Sequence, residues 1–316
     1  MLADWESVSS YSESKDAQIL FNSAYLVYQL KLAVRTATAL GETDDAETYA
    51  ATAQKISIGV HAAYYNAATE TYVAHDNGNV SYQGFNVVAL MAGLVPSAGG
   101  VEDAVLASLE RQITVEKSGH LDTGLFNTYL MATLLSSPRG TAGKRRDDLL
   151  LTMATIPTYP GYGWLITQGL GTWPETWSIG SVAGGKSLIH GCMNGFGLWF
   201  PQGILGVRAD PAFPGFSRFT VRPAFGINIT QAEGKVATPR GAVGVAWTTP
   251  SATAATLKLV VPFNTIATVW LPAKAAGAVS EGGKPATSSA TFVRQDGADT
   301  VWEVGSGDYA FSFVTP

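Results

Sequence analysis

Hydrophobic positions in the first two thirds of the chain recur at spacings of three and four. Between residues 17 and 40, Leu20, Ala24, Val27, Leu30 and Val34 share one stripe and the pattern stops at Gly41, which predicts an amphipathic helix with a glycine terminus. A second helix is predicted from Thr43, a capping residue type, with Asp44 and Asp45 near the positive end of its dipole. Its apolar stripe is Tyr49, Ala53, Ile56, Val60 and Tyr64, so the pair reads as a helical hairpin. Further helical patterns cover 82–94, 101–115, 123–136, 145–155 and 187–205. Paired amphipathic helices without a strict repeat fit a bundle, a solenoid or an αα-barrel. After Val207 the period changes to two, in short Val, Thr, Ile and Phe runs broken by Gly and Pro. That texture predicts an antiparallel β-sandwich over 207–316, following a helical portion over 1–206. The Ala-, Gly- and Ser-rich stretch 273–290 is expected to be an exposed loop.

Composition narrows the classes of function. The chain has 316 residues, 46% of them hydrophobic and 14% charged, against roughly 25% charged in an average domain; this is an ordered protein, not a disordered one. A net charge of -5 argues against nucleic acid as a partner. Lys144, Arg145 and Arg146 form the one basic triplet, read as a solvated loop. The single cysteine, Cys192, rules out an internal disulfide and a multi-thiolate zinc site. It is expected on the buried side of the 187–205 helix. With four histidines, neither a metal site nor a cofactor is expected. The run from Asp76 to Asn79 lacks the spacing of a calcium loop and reads as a turn. No apolar run approaches the ~20 residues of a membrane span, and the N-terminus shows no signal pattern. A soluble chain without a membrane partner is expected, its compartment left open.

The most unusual stretch is 157–201, which is Gly-rich, weakly charged and holds four of the eight tryptophans. Flat rings in such a context stack on sugar faces while a few polar groups choose among hydroxyls. Within it, Glu175 lies between Trp173 and Trp177. Apolar walls would raise its carboxyl pKa towards the range useful for proton transfer; the plainer alternative is a surface glutamate that caps a helix or pairs with an arginine.

Here the sequence resembles a known family. TWPETW at 172–177, SLIHGCMNGFGLWF at 187–200 and PGFSRFTVRPAF at 214–225 are similar, in this order, to the late part of the α-L-rhamnosidases of glycoside hydrolase family 78. GHLDTGLFNTYL at 119–130, LADW at 2–5 and GSGDYAFSF at 305–313 add weaker matches. The resemblance implies part of a six-hairpin (α/α)6 barrel followed by a β-sandwich, acting on terminal α-L-rhamnose with inversion. It places Glu175 on the general base and His190 on a histidine that contacts bound rhamnose, with Trp173 and Trp177 shaping the pocket. Asp4, Trp5 and His120 fall on segments that would also face the substrate. Two departures stand out: Ile189 occupies the position of an asparagine, and Pro174 precedes the glutamate.

An inverting glycosidase needs a second carboxyl group roughly 6.5 to 9.5 Å from the first. The family's general acid lies in an acidic, Arg-containing motif upstream of the Asp-Trp segment, and no such motif occurs in this chain. About seven helices stand where a twelve-helix barrel is implied, so the chain is expected to be a fragment or remnant, or to use another carboxylate. Asp122 and Glu116 are the substitutes to weigh, the first more simply a helix-start residue and the second a solvated charge. Gln83 and Gly84 could face the same cleft. A non-catalytic carbohydrate-binding protein or inactive remnant is the alternative function; a uronate lyase is disfavoured because Lys186 is the sole cation of 157–201. An incomplete barrel leaves apolar faces open, so a homo-oligomer or a companion chain is expected.

Overall fold

The computed structural model describes residues 3–96, 99–180 and 185–315. The chain forms two compact units, Met1–Phe196 and Gly197–Pro316. None of the described helices is long and apolar enough to cross a membrane.

The first unit is helical. α1 (Lys15–Leu40) begins where the Ser14 side chain accepts the Ala17 N–H and ends at Gly41, whose φ of 80° is the left-handed conformation a helix terminus favours. Leu20, Ala24 and Val27 of the expected stripe are buried, whereas Leu30 and Val34 are only half-buried. Ser14→Ala is expected to lower stability by about 1 kcal/mol, measurable as a reduced urea midpoint at unchanged m-value. α2 (Thr43–Tyr64) packs along α1; its cap position is Glu42, with no side-chain capping bond, so Thr43 is already inside the helix. A short hairpin of β1 (Tyr65–Asn66) and β2 (Thr71–Tyr72) follows, then α3 (Gln83–Ala92), α4 (Val101–Arg111), α5 (Leu125–Leu135), α6 (Asp147–Thr155) and α7 (Tyr162–Thr167). Almost every residue of α3 is buried, which makes it the central helix of the unit, against α1 and α5.

The start of α5 is capped across a sequence separation of more than a hundred residues. Asp4 accepts the N–H groups of Gly124 (2.6 Å), Phe126 (3.1 Å) and Asn127 (3.1 Å), and the Trp5 carbonyl accepts that of Leu125 (2.9 Å). These donors have no partner inside a helix, and all four are satisfied by one dipeptide. Gly124 is required there, since a Cβ would lie 2.1 Å from the Trp5 carbonyl oxygen.

Three expectations about the helical unit need correction. No continuous helix covers 187–205: a 3-10 helix (Gly191–Leu198) and a π turn (Phe200–Ile204) stand in its place. Three glycines weaken the α conformation there, and Gly195 lets the backbone press against Tyr129, whose Cβ would be 2.8 Å from an added methyl. This changed period turns Cys192 outward, so it is exposed rather than buried. The basic triplet is not simply solvated either: Arg145 pairs with Asp147 at 2.8 Å, and the buried Arg146 pairs with Glu110.

The second unit is a two-sheet sandwich. Its strands are β3 (Val207–Ala209), β4 (Arg218–Val221), β5 (Gln231–Thr238), β6 (Gly241–Ser251), β7 (Ala254–Val261), β8 (Ile266–Leu271), β9 (Val279–Glu281), β10 (Lys284–Pro285), β11 (Thr291–Asp296), β12 (Asp299–Val304) and β13 (Gly307–Phe313). One sheet has the order β10-β9-β13-β7-β6-β5 and the other β11-β12-β8-β4-β3. Pairing is antiparallel except between β4 and β8, which run parallel from Arg218 opposite Ile266. Alternation is plain in β7, where Ala255, Leu257, Leu259 and Val261 point inward. Trp247 and Trp302 fill the core with their indole N–H groups bonded to the Ile204 carbonyl and the Thr300 hydroxyl. Stretch 273–290 is not an open loop: β9 and β10 form a hairpin beside β13, burying Val279 and Ala286.

Candidate active site

Three stretches of the first unit meet at Glu175. The neck of the 175–187 segment is closed by the Glu175 N–H donating to the Ser187 carbonyl (2.8 Å), and the His190 N–H donates to the Trp173 carbonyl (2.9 Å). The Glu175 carboxylate then takes one donor on each oxygen. Trp5 Nε1 donates to Oε1 at 3.0 Å and the Ser187 N–H donates to Oε2 at 3.1 Å. The Ser187 N–H first and the Trp5 indole second, with His190 and Lys186 nearby, hold the carboxyl below the ordinary glutamate range. The expectation that apolar walls would raise it is therefore overturned. The indole that meets the carboxylate belongs to Trp5, not to the flanking Trp173 or Trp177, and it presents its polar N–H edge.

Trp173 is partly exposed and Trp177 is buried, 1% accessible. Trp177 donates its indole N–H to the Thr123 carbonyl (2.8 Å), so it supports the site from beneath rather than lining it. Tyr162 holds both rings edge-to-face at 5.1 and 5.2 Å and donates its hydroxyl to the Met193 carbonyl (2.7 Å). Sequence reasoning missed this residue, although the aromatic density of Tyr159, Tyr162 and Trp164 was the available signal. His190 is half-buried, and no hydrogen bond of its ring to another described residue is present.

Other candidates lie elsewhere. Asp4 is wholly buried, and its oxygens are consumed by the α5 cap and by the Tyr11 hydroxyl at 2.8 Å, which corrects its placement at the substrate. Burial pushes its carboxyl up to about 6 against the pull of those four donors. His120 is tied at both ring nitrogens, to the Lys117 carbonyl and the Thr158 hydroxyl, each at 2.8 Å. It has no contact with Glu175, Trp5 or His190 among those found for the described residues. Gln83 bridges the His120 carbonyl and the Asp122 N–H, and Gly84 is packed against Tyr11 and Asn127, so neither faces the site. Asp122 is buried, accepts the Ser9 hydroxyl and pairs with Lys117 at 3.2 Å. Burial raises its carboxyl. It precedes α5 without being its cap. Glu116 is exposed and pairs with Arg111 at 3.5 Å. Asp76 accepts the Ser14 hydroxyl (2.7 Å) and the Asp16 N–H, tying a turn to the start of α1. No group of three metal-ligating side chains occurs among the described residues.

The helical unit is of the six-hairpin glycosidase class, with a β-sandwich after it. Residues 1–204 match the bacterial alpha-L-rhamnosidase 6 hairpin glycosidase domain, and residues 206–285 match the bacterial alpha-L-rhamnosidase C-terminal domain. The chain belongs to the bacterial α-L-rhamnosidase family. It is 29% identical over 317 residues to an alpha-L-rhamnosidase of Streptomyces avermitilis, a match covering 98% of this chain and 28% of that protein. An alpha-L-rhamnosidase of Formosa agariphila is 32% identical over 187 residues, covering 58% of this chain and 19% of that one. In structure, the chain is similar to the Streptomyces avermitilis alpha-L-rhamnosidase complexed with L-rhamnose, with a TM-score of 0.81 at 27% identity, over 98% of this chain and 28% of the other. The alpha-L-rhamnosidase of Dictyoglumus thermophilum shares the fold at TM-score 0.85 and 23% identity, over 100% of this chain and 34% of its own. The chain thus spans less than a third of the length of the Streptomyces relative.

Proposed function

We propose that this chain supplies the base half of an inverting α-L-rhamnoside hydrolase, with Glu175 as the general base. The observation that carries the reading is the pair of N–H donors on its two oxygens. They keep the carboxyl ionised and leave its remaining lone pairs for a water proton. The unengaged His190 ring and the partly exposed Trp173 beside it suit a sugar hydroxyl and a sugar face. L-Rhamnose as the bound sugar follows from the Streptomyces relative's complex.

Inversion also needs an acid, and the carboxylates weighed from sequence are committed elsewhere. Asp4 caps α5, Asp122 is buried against Lys117, and Glu116 pairs on the surface. These commitments favour, as a second reading, sugar binding without turnover by this chain alone. Hydrolysis of an aryl α-L-rhamnoside, followed by NMR for the anomer first released, separates the two. Release of the β-anomer supports the hydrolase, calorimetric L-rhamnose binding without turnover supports the second reading, and neither binding nor turnover removes both. Exposed apolar side chains on α1 and α2, including Leu26, Leu40 and Ile58, fit self-association or a companion chain. Size-exclusion chromatography with light scattering is expected to show a species larger than the monomer; a monodisperse monomer counts against it.

A further inference from the structure

Lys186 joins two of the three stretches that meet at Glu175. It stands one residue before Ser187, whose N–H holds Glu175 Oε2. Its ammonium pairs with Glu6 and lies 4.2 Å from the centroid of the Trp5 ring. One side chain therefore grips two adjacent residues, and the first of them donates to Glu175 Oε1. Glu6 adopts a left-handed backbone conformation (φ 56°), which a non-glycine residue keeps where surrounding contacts hold it.

We propose that Lys186, with Glu6 as its counter-ion, is the positioning residue that fixes the Trp5 indole on Glu175 and so sets the orientation of the base. The proposal deepens the reading of Glu175 given above and rests on it for its catalytic meaning. A tryptophan side chain has two rotatable bonds. An ammonium against its face and an ion pair on the next residue restrict both, leaving the indole N–H aimed at one oxygen. The same contact occupies one face of the ring. On that face Trp5 offers no platform for a sugar, and it acts on the substrate through Glu175. An isolated surface ion pair contributes little. What distinguishes this one is that its removal frees a hydrogen-bond donor of the base.

The test compares the chain with Lys186→Met, Lys186→Arg and Glu6→Gln variants. The readouts are the Trp5 indole N–H resonance, assigned with Trp5→Phe, and the Glu175 carboxyl titration followed by carbon NMR. Lys186→Met is expected to move the indole resonance towards that of a solvent-exposed tryptophan and to move the Glu175 titration upward. Lys186→Arg, which keeps both the charge and the stacking, is expected to restore both signals. Glu6→Gln leaves the Lys186 charge in place and is expected to displace the indole resonance as well, which separates a clamp from simple charge attraction. Unchanged spectra in Lys186→Met, or an arginine variant that folds but fails to restore them, overturns the proposal. If Lys186→Met does not fold, Glu6→Gln decides alone, by displacing the indole resonance or leaving it in place. None of these signals depends on turnover, so the clamp stands or falls on the spectra, while the base role of Glu175 is judged separately by the kinetics of Glu175→Gln.

Discussion

Replacing Asp4 by alanine is expected to destabilise the helical unit by about 3 to 5 kcal/mol, because four donors, three of them in buried bonds, lose their acceptor at once. Gly124, Phe126 and Asn127 would face the vacated space with free N–H groups, and the Tyr11 hydroxyl would lose its partner. Urea unfolding measures the loss, and a change below about 1 kcal/mol would show that water replaces the carboxylate without cost. The sign of the pH dependence is equally specific. Burial raises the Asp4 carboxyl from 3.8 to about 6, so the folded state holds its proton more tightly than the unfolded chain does. The extra stability that this tighter proton binding adds is fully present below about pH 4 and is lost as pH rises through about 6, a swing on the order of 3 kcal/mol, while the hydrogen bonds to the cap persist. Asp4→Asn, which has no proton to lose, is expected to flatten that part of the stability profile between pH 4 and 6.

On the proposed base role, Glu175→Gln is expected to reduce the turnover number by about 10²- to 10⁴-fold with little change in KM, since an amide of the same shape would still fill the site but could not take a proton from water. An external nucleophile that needs no deprotonation, such as azide, is expected to restore product formation in the variant with inversion at the anomeric carbon. A variant with wild-type turnover would assign the base elsewhere. Because the carboxyl is held below the ordinary glutamate range by Ser187, Trp5, His190 and Lys186, the acid limb governed by Glu175 is expected to lie below the usual value of 4.5. It should move upward when Trp5 is replaced by phenylalanine, which keeps the ring and removes the donor.

Much of the architecture was legible because it rests on local periodicity. The Leu20, Ala24 and Val27 stripe and the stop at Gly41 define α1 by residues near one another in sequence, and alternation in β7 does the same for the sandwich. The site was legible only in part, since its decisive contacts join residues far apart. The indole that holds Glu175 belongs to Trp5, 170 positions away, and not to the flanking Trp173 or Trp177. Reading the neighbours as walls therefore gave the wrong direction for the carboxyl pKa. Asp4 looked like a substrate residue from its motif, but its acceptors serve a helix start that no local pattern connects to it. The 187–205 segment misled for a different reason: its apolar spacing is helical, while Gly191, Gly195 and Gly197 permit a tighter winding.

Because Glu175 and Ser187 are pinned to each other by bonds running both ways, neither can shift without the other, and the carboxylate keeps one of its donors through any displacement of the pair as a unit.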